Sequence, residues 1–446
     1  MSPPAPTPLG WLGILRLGLV QTALGGIVVL TTSTLNRVMV VELLLPATLP
    51  GALVALHYAV QLARPGFGHG SDVSGRRTPW ILGGMAVLAA GGVLAALATA
   101  LLAEHATAGL VLAVLAFLLI GAGVGSAGTS LLALLAARVE DRRRAAAATI
   151  VWMMMILGFA LTAGIVGRLL EPFSLARLVL VTSGVCLLAF LTSAVAVLGV
   201  EGPGRIRPAA ERATRPRFRA ALAEVWADRR ARRFTIFVFL SMLAYSGQDL
   251  VLEPFAGLRF DLSPGATTRL SGIQHAGVLV GMVLVAIAGT FGGGRAATLR
   301  LWTIGGCLAS AGALASLVAA GILGPPFPLH GAVFALGTAN GAFAIAAIGS
   351  MMALAGEGRR GGEGVRMGLW GAAQAIAFAT GGFLGTVVAD LGRFAIGSAV
   401  PAYTLVFALE ALAFLFAARL AATIATREEE VTSRPAGALA VASGGR

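Results

Sequence analysis

Lysine is absent from the 446-residue chain, and only 12% of its residues are charged, where a soluble domain carries about 25%. That deficit excludes an ordinary water-soluble fold. Cysteine is scarce as well: Cys186 and Cys307 sit singly in apolar runs with no CxxC or Cys/His spacing, so neither a disulfide framework nor a protein-ligated metal is expected. No GxSxG, HExxH or Walker sequence occurs. Gly121-Ala122-Gly123-Val124-Gly125 lies inside an apolar run, not after a strand, so its glycines serve helix packing and not phosphate binding. These absences argue against a nucleotide site and against an enzyme. The first eight residues lack the basic start and small-residue cleavage site of a signal peptide, so residues 1–10 read as a proline-rich lead-in.

What abounds is apolar surface. Hydrophobic residues make up 57% of the chain, mean hydropathy is +0.87, and 60 glycines are scattered without a period, as suits helices that approach closely in lipid. A crossing needs about 20 apolar residues. By that measure the sequence predicts twelve transmembrane helices in an all-α membrane protein. Six lie within residues 11–200, near 11–35, 47–64, 79–103, 107–136, 145–168 and 177–200; six lie within 234–421, near 234–256, 269–291, 299–320, 327–354, 367–389 and 397–421. Residues 201–233 between them form a basic linker with ten arginines and four acids, including an amphipathic stretch from Arg217 to Arg233 suited to a membrane surface. Residues 422–446 read as a disordered tail. With the N-terminus inside, the cytoplasmic loops hold twenty-two arginines and the outer connections six, which predicts both termini in the cytoplasm. The net charge of +13 is therefore a topology signal facing the lipid bilayer, and no nucleic-acid partner is expected.

Two six-helix halves joined by a long basic loop form the layout of the major facilitator fold. The run Gly68-His69-Gly70-Ser71-Asp72-Val73-Ser74-Gly75-Arg76-Arg77 resembles the facilitator loop signature. Gly75 permits a left-handed turn, Asp72 can meet a helix N-terminus, and Arg76 and Arg77 anchor the cytoplasmic face. Val73 replaces the usual basic residue, and Gly292-Gly293-Gly294-Arg295 in the second half lacks the aspartate. A proton- or solute-coupled carrier keeps ionisable groups inside its bundle. Here the first-half spans contain no Asp or Glu, and the second half offers Asp249, Glu253 and Glu410.

Longer strings point further. Leu35-Asn36-Arg37-Val38-Met39-Val40-Val41-Glu42-Leu43, Gln248-Asp249-Leu250-Val251-Leu252-Glu253-Pro254 and Gly368-Leu369-Trp370-Gly371-Ala372-Ala373-Gln374-Ala375-Ile376-Ala377-Phe378 resemble the bacteriochlorophyll delivery family, the PucC-like branch of the facilitators. Val151-Trp152-Met153-Met154-Met155 and Glu171-Pro172-Phe173-Ser174 agree with it, so the resemblance spans about residues 11–421. It implies a multi-pass protein of a bacterial cytoplasmic membrane, inner or intracytoplasmic and photosynthetic. It also implies an assembly factor with bacteriochlorophyll as bound cargo, and as partners the light-harvesting apoproteins and bacteriochlorophyll synthase. The alternative is a secondary transporter of an amphiphilic small molecule.

Chlorin magnesium has an open axial position that accepts a neutral nitrogen or oxygen. His57 and His275 are the intramembrane histidines, with Gln274, Gln374, Asn36 and Asn340 as amide alternatives, although such residues also hydrogen-bond between helices. Trp370 and Gln374, four apart, share a helix face that can hold a chlorin ring or form a tight helix contact, and Gly381 and Gly385 continue it. Arg37 and Glu42 can pair with each other or with Asp249 and Glu253 across the seam between halves, or act as solvated interfacial anchors.

Overall fold

The computed structural model describes residues 8–201, 226–227, 229–291, 295–356 and 363–432, with side chains described except at 72, 141, 145, 230, 231, 290–298, 351–372 and 424–432. The lead-in before residue 8, most of the 201–233 linker, the Gly292–Gly294 loop, the tail after residue 432 and the Asp72 and Trp370 side chains lie outside the described residues. Among the described residues the regular structure is helical. The first half contains α1 (Trp11–Glu42), α2 (Thr48–Val60), α3 (Arg64–Ser74), α4 (Thr78–Leu102), α5 (Ala106–Arg138), α6 (Arg144–Leu169) and α7 (Leu175–Val197). The second contains α8 (Arg229–Phe260), α9 (Pro264–Phe291), α10 (Arg295–Leu323), α11 (Leu329–Gly356), α12 (Glu363–Ile396) and α13 (Ala399–Thr432).

Eleven of these helices, all but α2 and α3, are long and apolar enough to cross a membrane. The stretch expected as a single span over 47–64 is built otherwise. α2 passes through one 3-10 turn, Gln61–Ala63, into α3, so helix continues through the expected loop and ends at Gly75, whose φ of +68° is left-handed. Arg64 and the glycines at 66, 68 and 70 dilute hydropathy here, while the backbone hydrogen bonds of a helix remain available to them.

Each half has its own apolar core, and the cores interlock: Leu250 of α8 packs in the first, Ile156 of α6 in the second. The halves meet where α6 packs on α9 and α2 on α12. At the first seam a methyl group on Gly167 would stand 2.6 Å from the Gly265 carbonyl oxygen, so only hydrogen fits between the backbones. Large apolar side chains face outward around the bundle, among them Leu12, Leu110, Leu187, Leu188, Ile287, Leu301 and Phe416, a surface suited to lipid. The first half is tied at its linker end, where the Glu201 carboxylate accepts from the backbone N–H groups of Arg77 and Thr78 at the start of α4, at 2.5 and 2.9 Å. Arg138 also donates to the Val200 and Glu201 carbonyls there.

Candidate functional site

Several polar contacts join the halves at one end of the bundle, the end that the arginine count assigns to the outside. They begin in α1, whose C-terminal portion contains two wide π-turns, Leu30–Thr34 and Val38–Glu42, flanking Leu35–Arg37. These turns direct Ser33, Thr34, Asn36 and Arg37 toward α8 and α9. Pro254 lies inside α8 and has no N–H, which leaves the Leu250 carbonyl without its helical partner. Asn36 Nδ2 replaces it at 2.7 Å. Arg37, 3% exposed, donates to the Leu262 carbonyl at 2.8 Å and pairs with Glu42. Thr34 meets Thr268 at 3.2 Å and Ser33 meets Ser271 at 3.4 Å. At the second seam Asp390 of α12 accepts from the N–H groups of Ala47 and Thr48, at 3.0 and 2.7 Å, capping α2 from the other half. Ser263 donates to Glu171, and Arg269 donates to the Gly167 carbonyl.

Of the four charges singled out in the sequence, Arg37 and Glu42 are brought together. Glu253 lies beside Arg37, Ser33 and Thr267, but neither of its carboxylate oxygens has a hydrogen-bond partner. Asp249 belongs to a different cluster, near Tyr58 of α2, Tyr245 of α8 and Glu410 of α13. Phe378 of α12 sits between the two tyrosine rings, 5.7 Å from each centroid. Nothing in the sequence connects Tyr58 with Tyr245, since they lie in different halves and meet only when the helices pack.

The two histidines differ in what their rings offer. His57 is tied into a chain in which Arg64 donates to Gln61 Oε1 and Gln61 Nε2 lies 2.9 Å from His57 Nε2. A guanidinium only donates, so it fixes the amide orientation. The amide N–H then faces Nε2, and the ring proton falls on Nδ1, which is buried without a partner. The lone pair of His57 is thus occupied. In His275 of α9 it is Nδ1 that is engaged, 2.8 Å from the Ser271 carbonyl. A carbonyl only accepts, so Nδ1 carries the proton and Nε2 keeps its lone pair. The ring stands edge-on to Phe159 of α6, centroids 4.9 Å apart at 87°. One and two turns before Phe159, α6 presents Met155, whose sulfur accepts from Gln21 of α1 at 3.2 Å, and Trp152, whose indole N–H is buried without a partner.

The other candidates are dispersed. Gln274 is buried on α9 where its backbone carbonyl approaches Gly337 of α11. Asn340 accepts from Ser310 at 2.8 Å, linking α11 to α10. Gln374 is half-buried on α12, which packs on α2, α8 and α13, so it belongs to a different seam from His275. Gly381 packs against α8, where an added methyl would stand 2.5 Å from the Leu243 carbonyl oxygen. Of the loop motif, Gly68 and Ser71 lie within α3, and Arg76 is exposed.

Known proteins bear on this arrangement. A bacterial homologue of the human drug peptide transporters has a TM-score of 0.68 at 13% identity, covering 94% of this chain and 99% of its own. A peptide transporter POT structure in complex with sulfate gives 0.69 at 14% identity, covering 94% and 96%. Both likenesses concern the fold alone, which is major-facilitator-like. Among sequences, the Rhodobacter capsulatus protein named bacteriochlorophyll synthase 44.5 kDa chain is 54% identical over 413 residues, 93% of this chain and 95% of that protein. Protein PucC of Rhodobacter capsulatus is 30% identical over 438 residues, 93% and 92% of the two chains. Protein PucC of Cereibacter sphaeroides is 31% identical over 430 residues, 90% and 89%. The PUCC protein family model matches residues 34–429, from the π-turns of α1 into the last helix, and this multi-pass membrane chain belongs to that family.

Proposed function

We propose that the chain is a membrane-integral assembly factor that binds bacteriochlorophyll or a late precursor and delivers it during light-harvesting complex biogenesis. The observation that carries this reading is the His275 ring. It is buried against Phe159 at the α6–α9 seam, its tautomer set by the Ser271 carbonyl and its Nε2 lone pair kept for a ligand. A neutral imidazole anchored through its other nitrogen is the ligand that an open magnesium position takes. Membership in the PUCC family and the relative named for bacteriochlorophyll synthase support pigment as the cargo. On this reading light-harvesting apoproteins receive the pigment and a separate bacteriochlorophyll synthase supplies it. The chain holds and passes pigment without making or breaking its bonds. It resides in the inner or intracytoplasmic photosynthetic membrane of a bacterium. There α2 and α3 together make a twelfth crossing, and both termini face the cytoplasm, in keeping with the arginine split.

Deletion of the gene tests the delivery role. Absorption spectra of membranes should show fewer antenna complexes while pigment extracts still contain bacteriochlorophyll. Accumulation of an earlier tetrapyrrole intermediate would mark a lost catalytic step and overturn the reading. A second reading, a secondary transporter of an amphiphile, draws on the peptide-transporter-like fold and the hydrogen bonds that latch the halves across one end. Ion-gradient-driven flux in vesicles separates it from delivery.

A further inference from the structure

Between α1, α8 and α9 lies a group of buried oxygens without hydrogen-bond partners, and among the described residues the one unpartnered N–H beside them is the Nε of Arg37. Glu253 is 1% exposed and its two carboxylate oxygens accept no hydrogen bond. Asn36, equally buried, spends its Nδ2 on the Leu250 carbonyl, which fixes the amide and leaves Oδ1 without a partner. Thr267 and Ser33 lie beside the Glu253 carboxylate. The Thr267 hydroxyl donates its proton to the Pro264 carbonyl at 3.1 Å, so its lone pairs are what remain. Ser33 and Ser271 share one hydroxyl contact at 3.4 Å.

Buried acceptors without donors require either water or a cation, and a buried carboxylate requires a positive charge. Arg37 lies near enough for its charge to act on Glu253, and its buried Nε makes no hydrogen bond, but its terminal nitrogens pair with Glu42 and donate to the Leu262 carbonyl, and no salt bridge joins it to Glu253. We propose that Glu253, Asn36 Oδ1 and the hydroxyls of Ser33, Thr267 and Ser271 form a binding site for a monovalent metal cation of the sodium type. All five ligand groups offer oxygen, the preference of a hard cation. One carboxylate balances one positive charge, and no group of three or more His, Cys, Asp or Glu suited to a multivalent ion occurs among the described residues. The backbone is irregular around the site, with π-turns on either side of Asn36 and Pro254 one residue beyond Glu253, the setting in which membrane proteins place ions. Since α1 belongs to one half and α8 and α9 to the other, a bound cation ties the halves together at the latched end. The cation site stands whether or not the cargo is pigment.

The test uses the full chain purified in detergent, with thermal unfolding and binding of radioactive sodium measured in sodium chloride and in choline chloride of equal ionic strength. Sodium should raise the midpoint saturably where choline does not, with one sodium bound per chain. Glu253→Gln should weaken sodium binding by at least about tenfold, and Ser271→Ala should weaken it several-fold. Glu42→Gln should weaken it as well, by releasing Arg37 toward Glu253. If Glu253→Gln fails to fold, Ser271→Ala carries the test. Wild-type protein indifferent to sodium, or a sodium response unchanged in Ser271→Ala, would overturn the proposal. So would a midpoint that follows pH equally in sodium and choline, since a proton would then neutralise the carboxyl.

Discussion

Asn36 and the Leu250 carbonyl are 214 positions apart, yet each answers a need created by the other's helix. Pro254 removes the donor that Leu250 expects, and in lipid no water replaces it. The pairing has a testable energy. In choline buffer, Asn36→Leu should lower stability by about 1–3 kcal/mol, the cost of stranding a buried acceptor. Pro254→Ala restores an N–H at 254, so in that background the same substitution should cost clearly less, read from unfolding in detergent as a double-mutant cycle. Equal penalties in both backgrounds would show that Asn36 does not serve this carbonyl. Both residues were visible in the sequence as parts of distinctive strings, but their partnership was not, because it depends on how the π-turns rotate α1 against α8. The same holds for the histidines. Sequence presents His57 and His275 as equivalent intramembrane rings, and only the neighbours at Gln61, Arg64 and Ser271 decide which nitrogen keeps a lone pair.

Among the elements, the long apolar runs were readable because a stretch of about 20 residues without charge has few other uses in a chain of this composition. The α2–α3 segment was not, since its second part is helical for backbone reasons that hydropathy does not register. Seams between helices were readable only in outline. Glycine abundance announced close contacts, but which glycines meet required the fold. Gly167 and Gly265 form one of two close glycine contacts between α6 and α9, the other being Gly164 with Gly272, and this seam also carries Phe159 and His275. Gly167→Leu should therefore wedge α6 from α9 and destabilise the chain by about 1–3 kcal/mol or more. Gly184→Leu on α7, where an added methyl meets nothing within 4 Å, should be tolerated. Comparable thermal midpoints for the two variants in detergent would refute the importance of the seam.

At the scale of the whole molecule, the chain joins a transporter-like fold to an interior in which the buried carboxyl groups of Glu253 and Glu410 have no hydrogen-bond partner. The halves interlock through Leu250 and Ile156 and are latched by Asn36, Arg37, Asp390 and Arg269. His275, the ring proposed to hold a magnesium pigment, lies on the α6–α9 seam, so a change in the relation of the halves would also change its surroundings. On the proposed reading, capture and release are coupled to movement of one half against the other, and pigment should remain with the protein when the latched end is intact. The most direct measurement is the absorption spectrum of the full chain purified gently from its native membrane, wild type beside His275→Leu, with the pigment-to-protein ratio determined for each. The account predicts bacteriochlorophyll or a late precursor bound to the wild type and a marked loss from a variant that remains folded and monodisperse. Folded wild-type protein free of pigment, or a His275→Leu variant that retains the full complement, would contradict it.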